Sequence, residues 1–169
     1  LNASFGAPVG SWYWEDPLNQ AVMRAWQAGI VVVTSAGNTG PNAMTVTAPG
    51  NVPYVVTVGA MTDNYTPAYG SDDYLASFSA AGPTYEGHVK PDLVAPGGHI
   101  LAGLEKPDYL GQTFPQYFVD DTYFRLSGTS QAAAVVSGVA ALVLQKDPSL
   151  IPDDGKCRLI ATADPAVEI

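Results

Sequence analysis

The chain has 169 residues, 47% of them apolar, which is enough for one domain with a sizeable core and excludes a disordered chain. Seven Lys and Arg against sixteen Asp and Glu leave a net charge of −9, which disfavours nucleic acid and anionic lipid as partners, and no apolar run is long enough to span a membrane. The single cysteine, Cys157, excludes an internal disulfide and reads as a small core residue.

Asn2–Phe5 reads as a short strand closed by Gly6, with Pro8, Gly10 and Ser11 in the loop that follows. Asp16 is the expected N-cap of a helix with Pro17 at its first position. Leu18, Ala21, Val22, Ala25 and Trp26 then share one face, and Gly29 ends the helix. Ile30–Val33 is an unbroken β-branched run, the pattern of a strand buried on both faces of a parallel sheet. Strand, helix and strand make a right-handed βαβ unit, so the fold class is α/β. In such sheets ligands bind beyond the carboxyl ends of the strands, where Ser4–Gly6 and Ser35–Asn38 fall.

Within the turn Ser35–Gly40, Asn38 has two readings. It can be a loop residue in the left-handed conformation that Asn tolerates, or a non-titrating amide donor aimed at a developing oxyanion. Thr47–Pro53 reads as a loop, Tyr54–Val58 as a strand, Met61–Tyr74 as surface loop and Leu75–Ser79 as a short strand. Lys90–Pro96 brings Asp92 into the sheet region, Gly103–Gln116 reads as exposed loop, and Tyr117–Leu126 returns as a hairpin or strand. Pro152–Thr162 closes the chain as an amphipathic helix with Cys157, Leu159 and Ile160 at apolar positions.

The most informative stretch is Leu126–Leu144, LSGTSQAAAVVSGVAALVL. A polar turn, Ser127–Ser130, runs into a helix of small residues whose valines and leucines cover most of its circumference, so burial nearly all round is expected. Thr129 or Ser130 can serve there as an ordinary N-cap. A serine at that position also meets the unpaired N–H groups and positive end of the helix, which favour negative charge.

GTSQAAAVVSG resembles the nucleophile signature of subtilisin-like serine proteases, the subtilases. SFG at Ser4–Gly6, VVVTSAGNTG at Val31–Gly40, and SFSAAGP with KPDLVAPG between Ser77 and Gly97 resemble further stretches of that family in the same order. Gln131, Ala134 and Val135 depart from its usual Met, Pro and His without removing chemistry. The resemblance implies a three-layer αβα fold with a mostly parallel sheet and a serine endopeptidase with Ser130 as nucleophile and Asn38 as oxyanion donor. It further implies a substrate pocket with Ser4, Phe5, Gly6, Ser35, Ala36 and Gly37 as walls and Thr47 at the floor. Those stretches carry no Asp or Glu, so a broad apolar pocket is expected. No cofactor is required. A weak structural cation, calcium or sodium, is implied at the carbonyls of Gly50 and Val52 with the Asp92 carboxylate, against the alternative of Asp92 as a purely structural group.

A serine nucleophile needs a general base oriented by a carboxylate. His88 and His99 both lie between Asn38 and Ser130, whereas subtilases run Asp, His, Asn, Ser, so both read as loop histidines. The resemblance therefore implies that residues 1–169 are the carboxyl-terminal part of one catalytic domain, inactive alone, with the aspartate and histidine upstream. The partners expected are that amino-terminal part and a peptide or protein substrate, and secretion is expected. Two other readings are a catalytically dead, protease-like binding module and a sedolisin-type acid peptidase. The latter would carry an aspartate where this chain has Asn38.

Overall fold

Asp16 caps helix α1 (Pro17–Gln27) as expected, its Oδ1 accepting from the N–H groups of Leu18 at 2.8 Å and Asn19 at 3.0 Å. The end of α1 uses Gly29, as expected, and also the first residue of the expected strand: Gly29 N–H donates to Trp26 O and Ile30 N–H to Ala25 O. Ile30 is consequently exposed, and the ladder of β2 begins only at Val33 (Val33–Ser35). This computed structural model describes residues 1–66 and 68–165.

Beside β2 lie β1 (Asn2–Ala3) and β3 (Val56–Thr62), both parallel to it. β3 also pairs with β5 (Leu93–Pro96) in parallel and with the short β4 (Tyr74–Leu75) antiparallel. Ser4 and Phe5 therefore leave the sheet where a longer strand was expected, and β3 runs further than Tyr54–Val58. β6 (Ile100–Gly103) and β7 (Tyr123–Leu126) form a separate antiparallel ribbon, joined by a segment that includes a short helix, α2 (Tyr109–Thr113).

The long helix α3 (Thr129–Lys146) crosses β1, β2, β3 and β5, and α4 (Pro152–Ala161) packs next to it. α1 and α4 are joined by Trp26 Nε1 donating to Asp153 Oδ1 at 2.8 Å. The result is a mostly parallel sheet in a three-layer αβα arrangement. Its core is a valine cluster, Val31, Val32, Val33, Val52, Val55, Val56 and Val58, closed by Ala132, Ala133, Val136 and Ala140 of α3.

Two apolar expectations are corrected. α3 is not buried all round: Val135, Val139 and Leu142 are 38%, 44% and 65% exposed, because only the face bearing Ala132, Ala133, Val136 and Ala140 meets the sheet. Cys157 is exposed, since α4 buries Pro152, Gly155 and Leu159 and turns residue 157 away.

Candidate active site

The ends of β1 and β2 and the start of α3 converge as the crevice rule for parallel sheets requires. Ser130 Oγ donates to Ser4 O at 3.1 Å, and Ser4 Oγ lies 3.0 Å from Ser130 O and 3.1 Å from Asn2 Oδ1. Neither Thr129 nor Ser130 caps α3; the N-cap is Gly128, with no side-chain capping bond.

Thr129 instead holds Asn38. Its N–H and its Oγ1 each donate to Asn38 Oδ1 at 2.9 Å, while Oγ1 accepts from Gly37 N–H at 3.2 Å. Thr129 is wholly buried, so both of its donors depend on that one amide oxygen. Gly37 (φ +113°) takes the left-handed position of the turn and Asn38 does not, which removes the loop-residue reading.

With Oδ1 committed to Thr129, the amide orientation is fixed and Nδ2 is left to face Gly128, 3.4 Å from where a side-chain carbon on that glycine would stand. Nδ2 has no hydrogen-bond partner among the described residues. The Ser130 N–H lies in the first turn of α3, where N–H groups lack intrahelical acceptors. The Asn38 amide N–H₂ facing Gly128 and the first-turn N–H of Ser130 thus stand uncommitted at the positive end of an 18-residue helix.

Gly6, Gly37 and Thr47 also come together. A side-chain carbon on Gly6 would stand 2.6 Å from Thr47 Oγ1, and one on Gly37 would stand 2.9 Å from Thr47 Cγ2. Thr47 Oγ1 lies 3.3 Å from Ala36 O, to which it donates. The threonine side chain fills the space between the two glycines. Ala7 and Ala48 are bridged through paired backbone bonds of 2.9 and 3.0 Å, whereas Gly6 N–H and C=O make none among the described residues. Phe5 is 56% exposed, and Ser35 is buried within β2.

The histidines stand elsewhere. His88 packs edge-on against Tyr13 with centroids 5.7 Å apart, and His99 stacks on Tyr65 at 4.1 Å. Neither hydrogen-bonds Ser130 among the described residues.

At Asp92 the groups present do not fit a metal cation. Oδ2 accepts from Lys90 Nζ and from Thr57 N–H, both at 2.7 Å, and Oδ1 lies 2.9 Å from Lys156 Nζ. Gly50 O accepts from Thr57 Oγ1 at 2.7 Å, and Val52 is buried in the core. Burial lowers the Lys90 pKa to about 8, Asp92 opposing that shift and Lys156 adding to it. Sequence reading missed both Thr129 and this lysine pair. The first was masked by the capping habit of threonine, and Lys156 is too distant in sequence to signal a partnership.

The profile of the subtilase family matches residues 1–168. Serine protease AprX of Bacillus subtilis (strain 168) is 47% identical over 142 residues, 84% of this chain and 32% of that protein. Subtilisin DY of Bacillus licheniformis is 35% identical over 165 residues, covering 96% of this chain and 48% of its own length. Among solved structures, a cold-adapted subtilisin-like serine proteinase superposes with a TM-score of 0.68 at 33% identity, over 96% of this chain and 47% of the other. Sphericase superposes with a TM-score of 0.73 at 23% identity, over 96% and 47%. The chain spans half or less of the length of these relatives.

Proposed function

Because the chain belongs to the subtilase family of serine proteases, we propose that it is the nucleophile-bearing part of a serine endopeptidase that cleaves peptide bonds through an acyl-enzyme on Ser130. Ser130 Oγ attacks the scissile carbonyl carbon as its proton passes to a general base. Asn38 Nδ2 and the Ser130 N–H donate to the carbonyl oxygen as it becomes negative. The same proton then reaches the leaving amine as the C–N bond breaks, and water hydrolyses the ester. The observation that carries this reading is the Thr129 anchor, which spends the oxygen of Asn38 and leaves its N–H₂ at the Ser130 helix mouth.

The substrate binds as an extended strand against the uncommitted backbone of Gly6. Thr47 limits the side chain preceding the scissile bond to a small one. The base and its orienting carboxylate come from outside residues 1–169: among the described residues Ser130 Oγ has only Ser4 O as its acceptor, and neither histidine bonds it. That remainder covers the bare face of α3, Val135, Val139 and Leu142, and continues the sheet at β1, whose only partner among the described residues is β2. No helix among the described residues is long and apolar enough to cross a membrane, and secretion of the parent protein is part of this reading.

A fluorophosphonate probe should label Ser130 in the active full-length protein, and Ser130→Ala should abolish both labelling and hydrolysis. The 169-residue chain alone should hydrolyse peptides negligibly, because a serine hydroxyl without a base is a weak nucleophile. Labelling confined to another serine would defeat the assignment. Serine-dependent turnover by the isolated chain would make His88 or His99 the base.

A further inference from the structure

Around Asp92 the fold assembles the donor set of a hard-cation site and fills it with nitrogen. The oxygens are Asp92 Oδ1 and Oδ2 with the carbonyls of Pro53 and Val55, a carboxylate-and-carbonyl chemistry that calcium and sodium accept. Lys156 Nζ donates to Pro53 O and to Val55 O, both at 2.9 Å, and forms an ion pair with Asp92 Oδ1 at 2.9 Å. Lys90 Nζ lies 2.9 Å from the same Val55 O and 2.7 Å from Asp92 Oδ2. The side chains of Lys90, Asp92 and Lys156 are 1%, 10% and 15% exposed.

We propose that the ammonium groups of Lys90 and Lys156 occupy this oxygen cage in place of a metal cation, so that the region is locked by the chain's own side chains and becomes a cation site only when they are removed. Two ammonium charges face one carboxylate, so an arriving divalent ion meets net repulsion and must first displace an ammonium from its oxygen partners. The lock also does structural work a dissolved ion would do less well. Lys156 sits on α4, Asp92 just before β5, and Pro53 and Val55 on the approach to β3, so three segments far apart in sequence are pinned at one point. An ion there could be stripped by a chelator, whereas a lysine cannot.

The test uses the full-length protein, with terbium(III) and calcium as probes. Crystals soaked in terbium should show no anomalous peak at the Asp92 carboxylate; a peak there overturns the proposal without any variant being made. Lys90→Met/Lys156→Met should acquire a rise in Tm in about 1 mM calcium that wild type lacks, in the affinity range of weak extracellular sites. Adding Asp92→Asn to that variant should abolish the rise. A folded double variant with no calcium response beyond that of wild type also overturns the proposal. If the double variant does not fold, the terbium soak of wild type decides alone.

Discussion

Asn38 has two tasks that one substitution merges and another separates. Asn38→Ala removes Nδ2 from the oxyanion and also removes Oδ1 from Thr129, whose N–H and Oγ1–H are both buried. Net loss of two hydrogen bonds costs about 1–3 kcal/mol of stability in addition to any effect on rate. Asn38→Asp keeps an acceptor oxygen for Thr129 in the same shape, so folding should be weakened by less than about 1 kcal/mol. Its second oxygen, however, replaces a donor by a negative charge facing the oxyanion. Loss of one such donor lowers turnover about 100- to 1000-fold, a range that comes from a subtilisin and so from a relative of this chain. The charged replacement should fall at least that far. Urea midpoints and the kcat and KM of the full-length protein measure both tasks. The expected pattern is Asn38→Ala low in stability and in kcat, and Asn38→Asp low in kcat alone, with KM little changed in each. Asn38→Asp retaining kcat within a factor of ten, or losing activity mainly through KM, would refute the donor role.

Two further outcomes follow from the geometry. Thr47→Gly should open the space between Gly6 and Gly37, raising kcat/KM for peptides with Phe or Leu before the scissile bond relative to Ala, by the roughly 10-fold or more that a filled apolar pocket gives per methylene or two; an unchanged ratio would place the pocket elsewhere. Lys90 carries a pKa lowered in the folded state to about 8 from 10.5, so the unfolded chain holds the extra proton between those values and stability from this group rises with pH across that window. The urea midpoint of wild type should gain on that of Lys90→Met from about pH 8 to 10.5, by up to about 3 kcal/mol, and a gap that stays constant would show the ammonium to be stabilised as well as it is in water.

Elements whose signals are local were readable from the chain. Asp16–Pro17 fixes the start of α1 because a cap and a preset φ act within one turn, and the small-residue run of α3 follows its own periodicity. Strand limits were not readable, because a ladder begins where partners exist. Ile30 has strand chemistry, yet its N–H is taken by Ala25 O and its side chain faces out. The same division holds in the site. Ser130 and Asn38 lie inside motifs whose residues are contiguous, so they could be singled out as candidates, but the bond that gives Asn38 its direction runs to Thr129 across 91 positions. The groups at Asp92 do not fit the expected cation for a related reason: the carboxylate and carbonyls of such a site are local to residues 50–92, while one of the two ammonium groups that fill it, that of Lys156, arrives from α4. A motif therefore specifies which groups are offered, and distant parts of the fold decide which of them remain free. In this chain that selection leaves Asn38 Nδ2 available and closes Asp92.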